Sequence, residues 1–433
     1  MPNNHHQTHE NTRILLLAYY YPPQVTAGAL RPARLVRYFP EFGYDPRVVT
    51  LRTNGEAAGT GAAEYVSAAD GGAVLKALAK ALRLTEIVTD RSHRFEWVAA
   101  AMRAAERLAS AAPFEAIVST GPPQATHLAA MLLKRRWRVP WIADFRDPIT
   151  MPGAKPALEA AWLERRFFSS ADAVVAVTDR VANGWREQYP EFAGKFSVIW
   201  NGFDPAEAFG PQALPAREHR VISHLGDIYG PRHPSRFIAS ISRLRDRDPS
   251  LRDLHIELVG PMDEDAPCRA MREFQALAAE GALRFNAAVA PRAEALHKTA
   301  TSDYLLLLDI NLKGVGYTVP AKIFDYVRSG RPILAYTPAE SPVEEILRQS
   351  GVRHCCVHPA DSPEQEDVKV AAFLAVPSTA TEPNDWFRSR FDGRQQAGAM
   401  ARCLDASRGA GAIETAGSAG IGGVGPQPTR STG

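Results

Sequence analysis

The segment Val319-Pro-Ala-Lys-Ile-Phe-Asp-Tyr-Val-Arg-Ser-Gly-Arg-Pro-Ile-Leu-Ala-Tyr336 predicts a short helix that leads directly into a buried strand. Pro320 suits a first helical turn, where a backbone N–H has no partner within the helix. Apolar residues then recur at helical spacing, and Gly330 ends the helix. Free N–H groups at such a helix start attract phosphates. Lys322 adds a positive charge there, and Asp325 could accept hydrogen bonds from sugar hydroxyls.

Around this segment, short apolar runs alternate with helical patterns, which favours doubly wound parallel sheets. A stretch rich in Pro, Ala and Gly at residues 201–218 separates two series of strands. The first series is predicted at 13–18, 46–51, 115–119, 141–144, 173–177 and 197–200. The second is predicted at 221–225, 255–259, 283–285, 304–308, 333–335 and 355–357. Helices are predicted at 30–42, 73–84, 95–111 and 385–406.

This alternation predicts an α/β fold in which two Rossmann-like domains face each other across a cleft. Ligands of open α/β sheets bind at the carboxyl ends of the strands, so the cleft is the expected site. The Asn201-Gly202 turn is expected to set the hinge. The predicted boundaries are a disordered N-terminus at 1–12, a first Rossmann-like domain at 13–200, a linker at 201–219, a second Rossmann-like domain at 220–384, a last helix at 385–406 and a disordered tail at 407–433.

Composition is that of an ordinary globular protein, because 45% of the 433 residues are hydrophobic and 23% are charged. The net charge of +2 implies no general attraction to nucleic acid. None of the four cysteines forms a CxxC pair, which fits a reduced cytoplasmic compartment. The N-terminus lacks the apolar core of a signal peptide, and no apolar run approaches the ~18 residues of a membrane span. The histidines lack metal-ligand spacing, so we expect neither a metal nor another cofactor.

The opening segment resembles the donor-site helix of retaining glycosyltransferases of family 4, which have the GT-B fold. In that family an acidic residue at the position of Asp325 binds the ribose of a nucleotide-sugar. A second acidic residue often stands eight positions earlier, where this chain has Tyr317. The resemblance covers roughly residues 13–405. It implies transfer of a sugar to a hydroxyl acceptor with retention, in the synthesis of cell-surface polysaccharide or glycolipid. It also implies that residues 13–200 form the acceptor-side domain, that residues 220–384 form the nucleotide-sugar domain, and that the helix at 385–406 crosses back to brace the first domain.

Two loops are expected to hold the donor. Tyr19-Tyr-Tyr-Pro-Pro-Gln-Val-Thr-Ala-Gly28 follows the first strand and lacks a GxGxxG fingerprint. The resemblance places this loop under the donor sugar and diphosphate, where Gly28 would allow close backbone approach. Arg31, in the next turn, would add a cation to the diphosphate. The alternative is a plain connection between strand and helix with solvated arginines.

The second donor loop is His224-Leu-Gly-Asp-Ile-Tyr-Gly-Pro-Arg232. The family usually has Gly-Arg and then Lys-Gly here, with both cations on the diphosphate. This chain keeps Gly226, has Asp227 in place of the arginine and has Arg232 near the lysine position. The missing cation should weaken stabilisation of the leaving diphosphate unless Lys322 or Arg31 replaces it. Arg232 and Lys322 are therefore the predicted catalytic cations.

The acceptor side is predicted from Trp141-Ile-Ala-Asp-Phe-Arg-Asp-Pro148, because charges at the end of a strand are hard to explain as core. Asp147 could orient the acceptor hydroxyl or contact the donor sugar, and Asp144 is assigned to the acceptor side. The alternative is an Asp–Arg pair that pins the loop. His127, on the helix after Ser119-Thr-Gly-Pro-Pro123, is a further acceptor-side candidate, although a lone helical histidine is more often structural.

The basic run Lys134-Arg-Arg-Trp-Arg138 could contact anionic lipid or a lipid-linked acceptor at the inner face of a membrane, or be a solvated helix end. The expected partners are a nucleotide-sugar and a glycan or lipid-linked acceptor, without nucleic acid. Two other functions stay open. One is a GT-B sugar-nucleotide epimerase. The other is a non-catalytic protein with a decayed donor site, which Tyr317 and Asp227 favour.

Overall fold

The computed structural model describes residues 11–24, 26–52, 62–67, 94–150, 158–309, 317 and 319–418, with side chains to residue 409. The helix predicted at 73–84 lies outside the described residues, as do residues 1–10 and 419–433 of the two predicted disordered ends.

The first sheet has seven parallel strands in the order β3-β2-β1-β4-β5-β6-β7. Strands β1, β4 and β5 read as nearly continuous apolar runs because helices cover both faces of a parallel sheet. Strand β3 was missed in the sequence because it is short and half-polar. The bounds are β1 Thr12–Ala18, β2 Tyr44–Leu51, β3 Ala63–Val66, β4 Ala116–Gly121, β5 Trp141–Phe145, β6 Ala173–Ala176 and β7 Phe196–Val198.

The second sheet has six parallel strands in the order β10-β9-β8-β11-β12-β13. Its strands agree with the predicted series to within a residue or so at each end. The two sheets confirm the predicted fold of two doubly wound α/β domains. The bounds are β8 Arg220–Leu225, β9 Leu254–Val259, β10 Leu283–Asn286, β11 Tyr304–Leu308, β12 Ile333–Tyr336 and β13 His354–Val357.

Helices connect the strands and cover the sheets. In the first domain they are α1 Ala27–Tyr38, α2 Val98–Ala111, α3 Ala125–Trp137, α4 Leu158–Ser170 and α5 Asp179–Gln188. In the second they are α6 Ser235–Arg247, α7 Arg272–Ala279, α8 Arg292–Thr301, α9 Lys322–Ser329, α10 Pro342–Gln349 and α11 Pro363–Leu374. The last two are α12 Asp385–Arg390 and α13 Gly393–Ser418. Short 3-10 turns occupy Phe39–Phe42, Phe95–Trp97, Pro190–Lys195, Pro249–Asp253 and Pro267–Ala270.

The final helical region braces the first domain, as the resemblance implied. It is broken into α12 and α13 and continues past the predicted end at residue 406. Met400 and Leu404 of α13 are fully buried in one apolar cluster with Leu35 of α1. The apolar stripe of α13 therefore ties the end of the chain back to its beginning.

The hinge between the domains is tightly packed at Gly202. A Cβ at this residue would lie 1.9 Å from the carbonyl oxygen of Phe391, so a larger side chain has no room. The Phe203 N–H donates to that same carbonyl at 3.0 Å, and Gly393 N–H donates to the Phe203 carbonyl at 2.9 Å. Glycine at 202 thus lets the linker lie directly against the junction of α12 and α13.

In the described part of the chain, no helix combines the length and apolar character needed to cross a membrane.

Candidate functional site

Each sheet has one point at which the order of its strands reverses. That point lies between β1 and β4 in the first domain and between β8 and β11 in the second. Loops leaving the carboxyl ends of such strands diverge and open a ligand crevice. Here those loops, with the neighbouring loop after β5 and the start of α9, carry most of the residues predicted to act on the donor.

Lys322 opens α9 and reaches the end of β8. Its Nζ lies 3.0 Å from Nε2 of His224 and 3.0 Å from where a Cβ would stand on Gly226. Gly226 has a φ of +106°, a conformation that L side chains rarely adopt. Burial, together with the charge of Arg232, lowers the pKa of Lys322 to about 7. Lys322 therefore lies at the end of β8, and its contact with a donor diphosphate stays a prediction.

Arg232 lies in the loop after β8 with a side chain only 15% exposed. Its Nη1 donates to the Tyr229 hydroxyl at 2.6 Å, and its Nη2 is 3.8 Å from Oδ1 of Asp309 at the end of β11. The Nε of Arg232 is buried without a partner, as are Nδ1 of His233 and Oγ of Ser235 nearby in the chain. Buried polar atoms normally have hydrogen-bond partners, so each of these three atoms could form a hydrogen bond with a polar ligand.

Asp147 approaches this cationic region from the first domain. Burial raises the pKa of Asp147, and the positive charges of Arg146 and Arg232 oppose that rise. The charge of Arg232 also lowers the pKa of Lys322, so one guanidinium influences both residues. Asp147 and Arg232 belong to different domains, so this influence acts from one domain to the other.

Gly28 leaves room for the side chain of Arg146, which lies against its backbone. A Cβ at this position would lie 2.6 Å from Nη1 of Arg146 and 2.9 Å from the ring of Tyr20. Arg146 is held by hydrogen bonds to the carbonyls of Gly121, at 3.2 Å, and Pro122. The close approach at Gly28 is therefore to Arg146, and contact of Gly28 with the donor stays a prediction.

Asp325 is engaged by an arginine that the sequence did not single out. Arg292 donates to both of its carboxylate oxygens, at 2.5 and 2.8 Å. The same guanidinium binds Glu207 of the linker at 3.1 and 2.7 Å. A carboxylate oxygen can accept more than one hydrogen bond, so Asp325 retains capacity for a ribose hydroxyl. That contact stays a prediction.

Arg31 and Asp144 form a buried ion pair, so the prediction that they contact donor and acceptor needs correction. The two side chains are 2% and 0% exposed and are joined by two hydrogen bonds of 2.8 Å. Arg31 also donates to the Trp200 carbonyl at 2.9 Å and to Oδ1 of Asn201 at 3.3 Å. All three guanidinium nitrogens are thus engaged by protein groups. The pair instead connects α1, β5 and the start of the linker.

His127 is likewise an interior residue rather than an acceptor ligand. Its ring is 0% exposed, stacks on Phe145 with 4.1 Å between ring centroids, and has Nδ1 2.8 Å from Oγ of Ser119. Burial lowers the pKa of His127 to about 3, so the ring is neutral. This is the structural role that a lone helical histidine more often has.

Tyr317, at the position where the resembled family often has an acidic residue, contacts the first domain. Its ring packs against the apolar cluster of that domain and lies 5.1 Å from the Arg180 guanidinium. Its carbonyl accepts a hydrogen bond from the Thr178 hydroxyl at 3.1 Å. The residue therefore links the two domains.

Sequence reasoning assigned no role to His224, Arg292 or Glu164. Glu164 of α4 is 0% exposed and accepts hydrogen bonds from the Ile149 and Thr150 backbone amides at 3.2 and 3.3 Å, which holds the loop after Asp147. His224 lay inside a quoted motif, yet nothing in the motif marks it as facing a lysine. Arg292 and Glu164 lie in ordinary helical patterns, so only their partners reveal them.

Comparisons with known proteins agree with this fold. Residues 27–202 match the family model described as a glycosyl transferase 4-like domain. No curated protein sequence matches the chain. HepE from Anabaena, solved with UDP and glucose, is similar with a TM-score of 0.59 at 14% identity, covering 92% of this chain and 100% of that one. An alpha,alpha-trehalose-phosphate synthase (UDP-forming) from Burkholderia vietnamiensis has a TM-score of 0.53 at 12% identity, covering 95% and 100%.

A third similar structure is the lipopolysaccharide outer core galactosyltransferase WaaB, with a TM-score of 0.55 at 11% identity and coverage of 94% and 100%. At such low identity these structures show the fold alone. The two parallel α/β domains therefore have the GT-B architecture of these structures, and residues 27–202 of the first domain match a glycosyl transferase 4-like domain.

Proposed function

We propose that the protein transfers a sugar from a nucleoside diphosphate sugar to a hydroxyl acceptor with retention of anomeric configuration. The observation that carries the proposal is the position of Lys322 against Gly226 at the carboxyl end of β8, with Arg232 in the loop that follows this strand. A pair of cations at a topological switch point suits a diphosphate, because it neutralises the charge of the leaving group.

The chemistry follows from where charge develops. As the bond between sugar and phosphate oxygen breaks, negative charge grows on the diphosphate, and Arg232 and Lys322 stabilise it. In a retaining transfer of this kind a donor phosphate oxygen takes the proton of the acceptor, so no strong protein base is required. Asp147 accepts a hydrogen bond from the acceptor hydroxyl and orients it for attack. Asp325 holds the ribose.

UDP-hexoses are the first donors to test. HepE was solved with UDP-glucose, and a trehalose-6-phosphate structure from E. coli was solved with UDP-2-fluoro glucose. Saturation-transfer NMR of the purified chain should detect one donor among UDP-, GDP-, ADP- and dTDP-sugars. Replacing Arg232 by Ala removes a charged contact and should weaken donor binding about 10- to 100-fold. Arg269→Ala, an exposed arginine of the same domain, is the matched control and should change nothing.

Two results would overturn this assignment. Failure of every donor to bind at millimolar concentration would favour a protein with a decayed donor site. A donor that is converted to another nucleotide-sugar without any acceptor would favour an epimerase. Retention itself is tested by NMR of the sugar released by slow donor hydrolysis, because an α-linked donor must first release the α-anomer.

We further propose that the acceptor is a glycan or lipid-linked molecule used in cell-surface polysaccharide or glycolipid synthesis at the cytoplasmic face of a membrane. Arg135 and Arg138 at the end of α3 are exposed. Exposed basic side chains favour contact with an anionic lipid surface. The native protein should sediment with vesicles that contain about 30% anionic lipid, whereas the Arg135→Glu/Arg138→Glu variant should stay in the supernatant. Equal binding of the native protein and the variant would contradict the proposal.

We also propose that no metal takes part in the transfer. Within the part of the chain that the structure describes, no group of three or more His, Cys, Asp or Glu residues is arranged to hold a metal ion. Donor turnover should therefore be unchanged by EDTA, and a loss that added Mg²⁺ restores would refute this.

A further inference from the structure

His224 is a buried histidine that the transfer chemistry above does not use. It is 0% exposed at the end of β8 and contacts a residue of the candidate site. Its Nδ1 lies 2.9 Å from the carbonyl oxygen of Leu306 on the neighbouring strand β11. Its Nε2 lies 3.0 Å from Nζ of Lys322. Each ring nitrogen of His224 thus has a hydrogen-bond partner.

The two contacts determine the tautomer of the ring. A carbonyl oxygen can only accept, so Nδ1 must carry the hydrogen that bonds to Leu306. A neutral ring then has a lone pair on Nε2, and this lone pair accepts a hydrogen bond from the amine of Lys322. Burial and the neighbouring Lys322 charge hold the pKa of His224 well below its ordinary value, which agrees with a neutral ring.

The site around the amine contains few other groups that could hold it. The charged groups acting on Lys322 are Arg232, which repels it, and Asp227, which attracts it but is exposed. The amine also lies against Gly226, where a Cβ would stand only 3.0 Å from Nζ of Lys322. An ammonium has three hydrogens, so after the bond to His224 two are left for oxygens of a ligand.

We infer that His224 is a positioning residue, whose neutral Nε2 holds the Lys322 amine beside Gly226 so that its free hydrogens point to the donor diphosphate. This inference rests on the proposed function for the identity of the ligand, but not for the contact itself. A lysine has many rotamers, and one fixed acceptor at its end removes most of them before the donor arrives. His224 therefore acts on the donor only through Lys322.

The contact can be tested in the free protein by NMR of ¹³C-labelled lysine. The chain has nine lysines, and the Lys322→Arg variant assigns the relevant signal. The Lys322 signal should titrate near pH 7, far below the value near 10.4 of an ordinary lysine. Replacing His224 by Leu removes an acceptor of the ammonium and should move the midpoint lower. An unchanged or higher midpoint would overturn the inference, because it would mean that His224 does not stabilise the ammonium.

The effect on the donor is tested by a double-mutant cycle with UDP as the probe. His224→Leu should raise the Kd for UDP about tenfold in the native background and leave it unchanged in the Lys322→Ala background. His224→Gln, whose Oε1 can stand near the position of Nε2, should restore most of the affinity. An equal loss in both backgrounds would show that His224 supports the fold rather than Lys322, and would refute the inference.

A matched control removes a histidine from the same sheet. His255 on β9 stacks on His219 with 3.9 Å between ring centroids and does not contact Lys322, so His255→Leu should leave the Kd and the lysine titration unchanged. Failure of the native protein to bind UDP would count against a UDP donor. The lysine titration would still decide whether His224 holds Lys322, so the two failures are distinguishable.

Discussion

The buried pair of Arg31 and Asp144 gives a sharp test of the structure. Replacing Arg31 by Met keeps much of the side-chain volume but leaves the carboxylate of Asp144 uncompensated at 0% exposure. Loss of one partner of a buried pair costs about 3–5 kcal/mol. The bonds of Arg31 to Trp200 and Asn201 are lost as well. We therefore expect the free energy of unfolding to fall by about 3–5 kcal/mol.

The measurement is urea unfolding followed by tryptophan fluorescence and circular dichroism, whose transitions must coincide for a single free energy to be defined. The matched control is Arg37→Met on the same helix. Arg37 pairs with Asp204 at 2.7 Å, but its side chain is 53% exposed, so its loss should cost below about 1 kcal/mol.

A double variant separates the buried charge from the packing. Arg31→Met combined with Asp144→Leu removes both charges and should be more stable than Arg31→Met alone, since an apolar replacement of a buried pair is often nearly neutral. The reasoning is refuted if Arg31→Met costs below about 1 kcal/mol, or if the double variant is as destabilised as the sum of the single ones. A loss of UDP binding at unchanged stability would instead restore Arg31 as a donor ligand.

Three further outcomes are expected at the site and the hinge. UDP affinity should fall up to about tenfold per pH unit above pH 7, because the Lys322 amine, with a pKa of about 7, is a cation below that pH and neutral above it. Calorimetry from pH 6 to 9 measures this dependence, and the Lys322→Arg variant should show a flatter profile. Asp147→Asn should lower donor turnover at least about tenfold while the Kd for UDP changes less than about twofold, and parallel losses would contradict its placement on the acceptor side. Gly202→Ala should destabilise the protein by about 2 kcal/mol or more, because its Cβ meets the Phe391 carbonyl, whereas Gly210→Ala has nothing within 4 Å and should be nearly neutral in thermal unfolding.

The sequence predicted the elements well because their signals are local. Strands such as β11 are short apolar runs, and α9 begins after Pro320 and ends at Gly330, whose φ is +69°. These features act within a few residues, so they are visible without the fold. The sequence missed β3, which has only four residues, and placed the end of the last helix too early.

The residues predicted for the site differ in their surroundings. Lys322 contacts His224 at the end of β8 and Arg232 lies in the loop after that strand, and their contact with a donor stays a prediction. Arg31 and His127 were also polar residues near strand ends, yet they are buried among protein partners. A charged residue after a strand looks the same in the sequence whether it faces a ligand or another side chain. The two cases differ only in the group that contacts the charge in the folded protein.

What the sequence by itself determined is the alternation of strands and helices, and hence two parallel sheets with a cleft at their carboxyl ends. This follows from hydrophobic periodicity and from helix ends, which depend on neighbouring residues. Only the tertiary structure decided the partner of each charge. Arg31 meets Asp144 across 113 residues, and Lys322 meets His224 across 98. Such contacts depend on burial and distance in the folded chain, which no local pattern encodes.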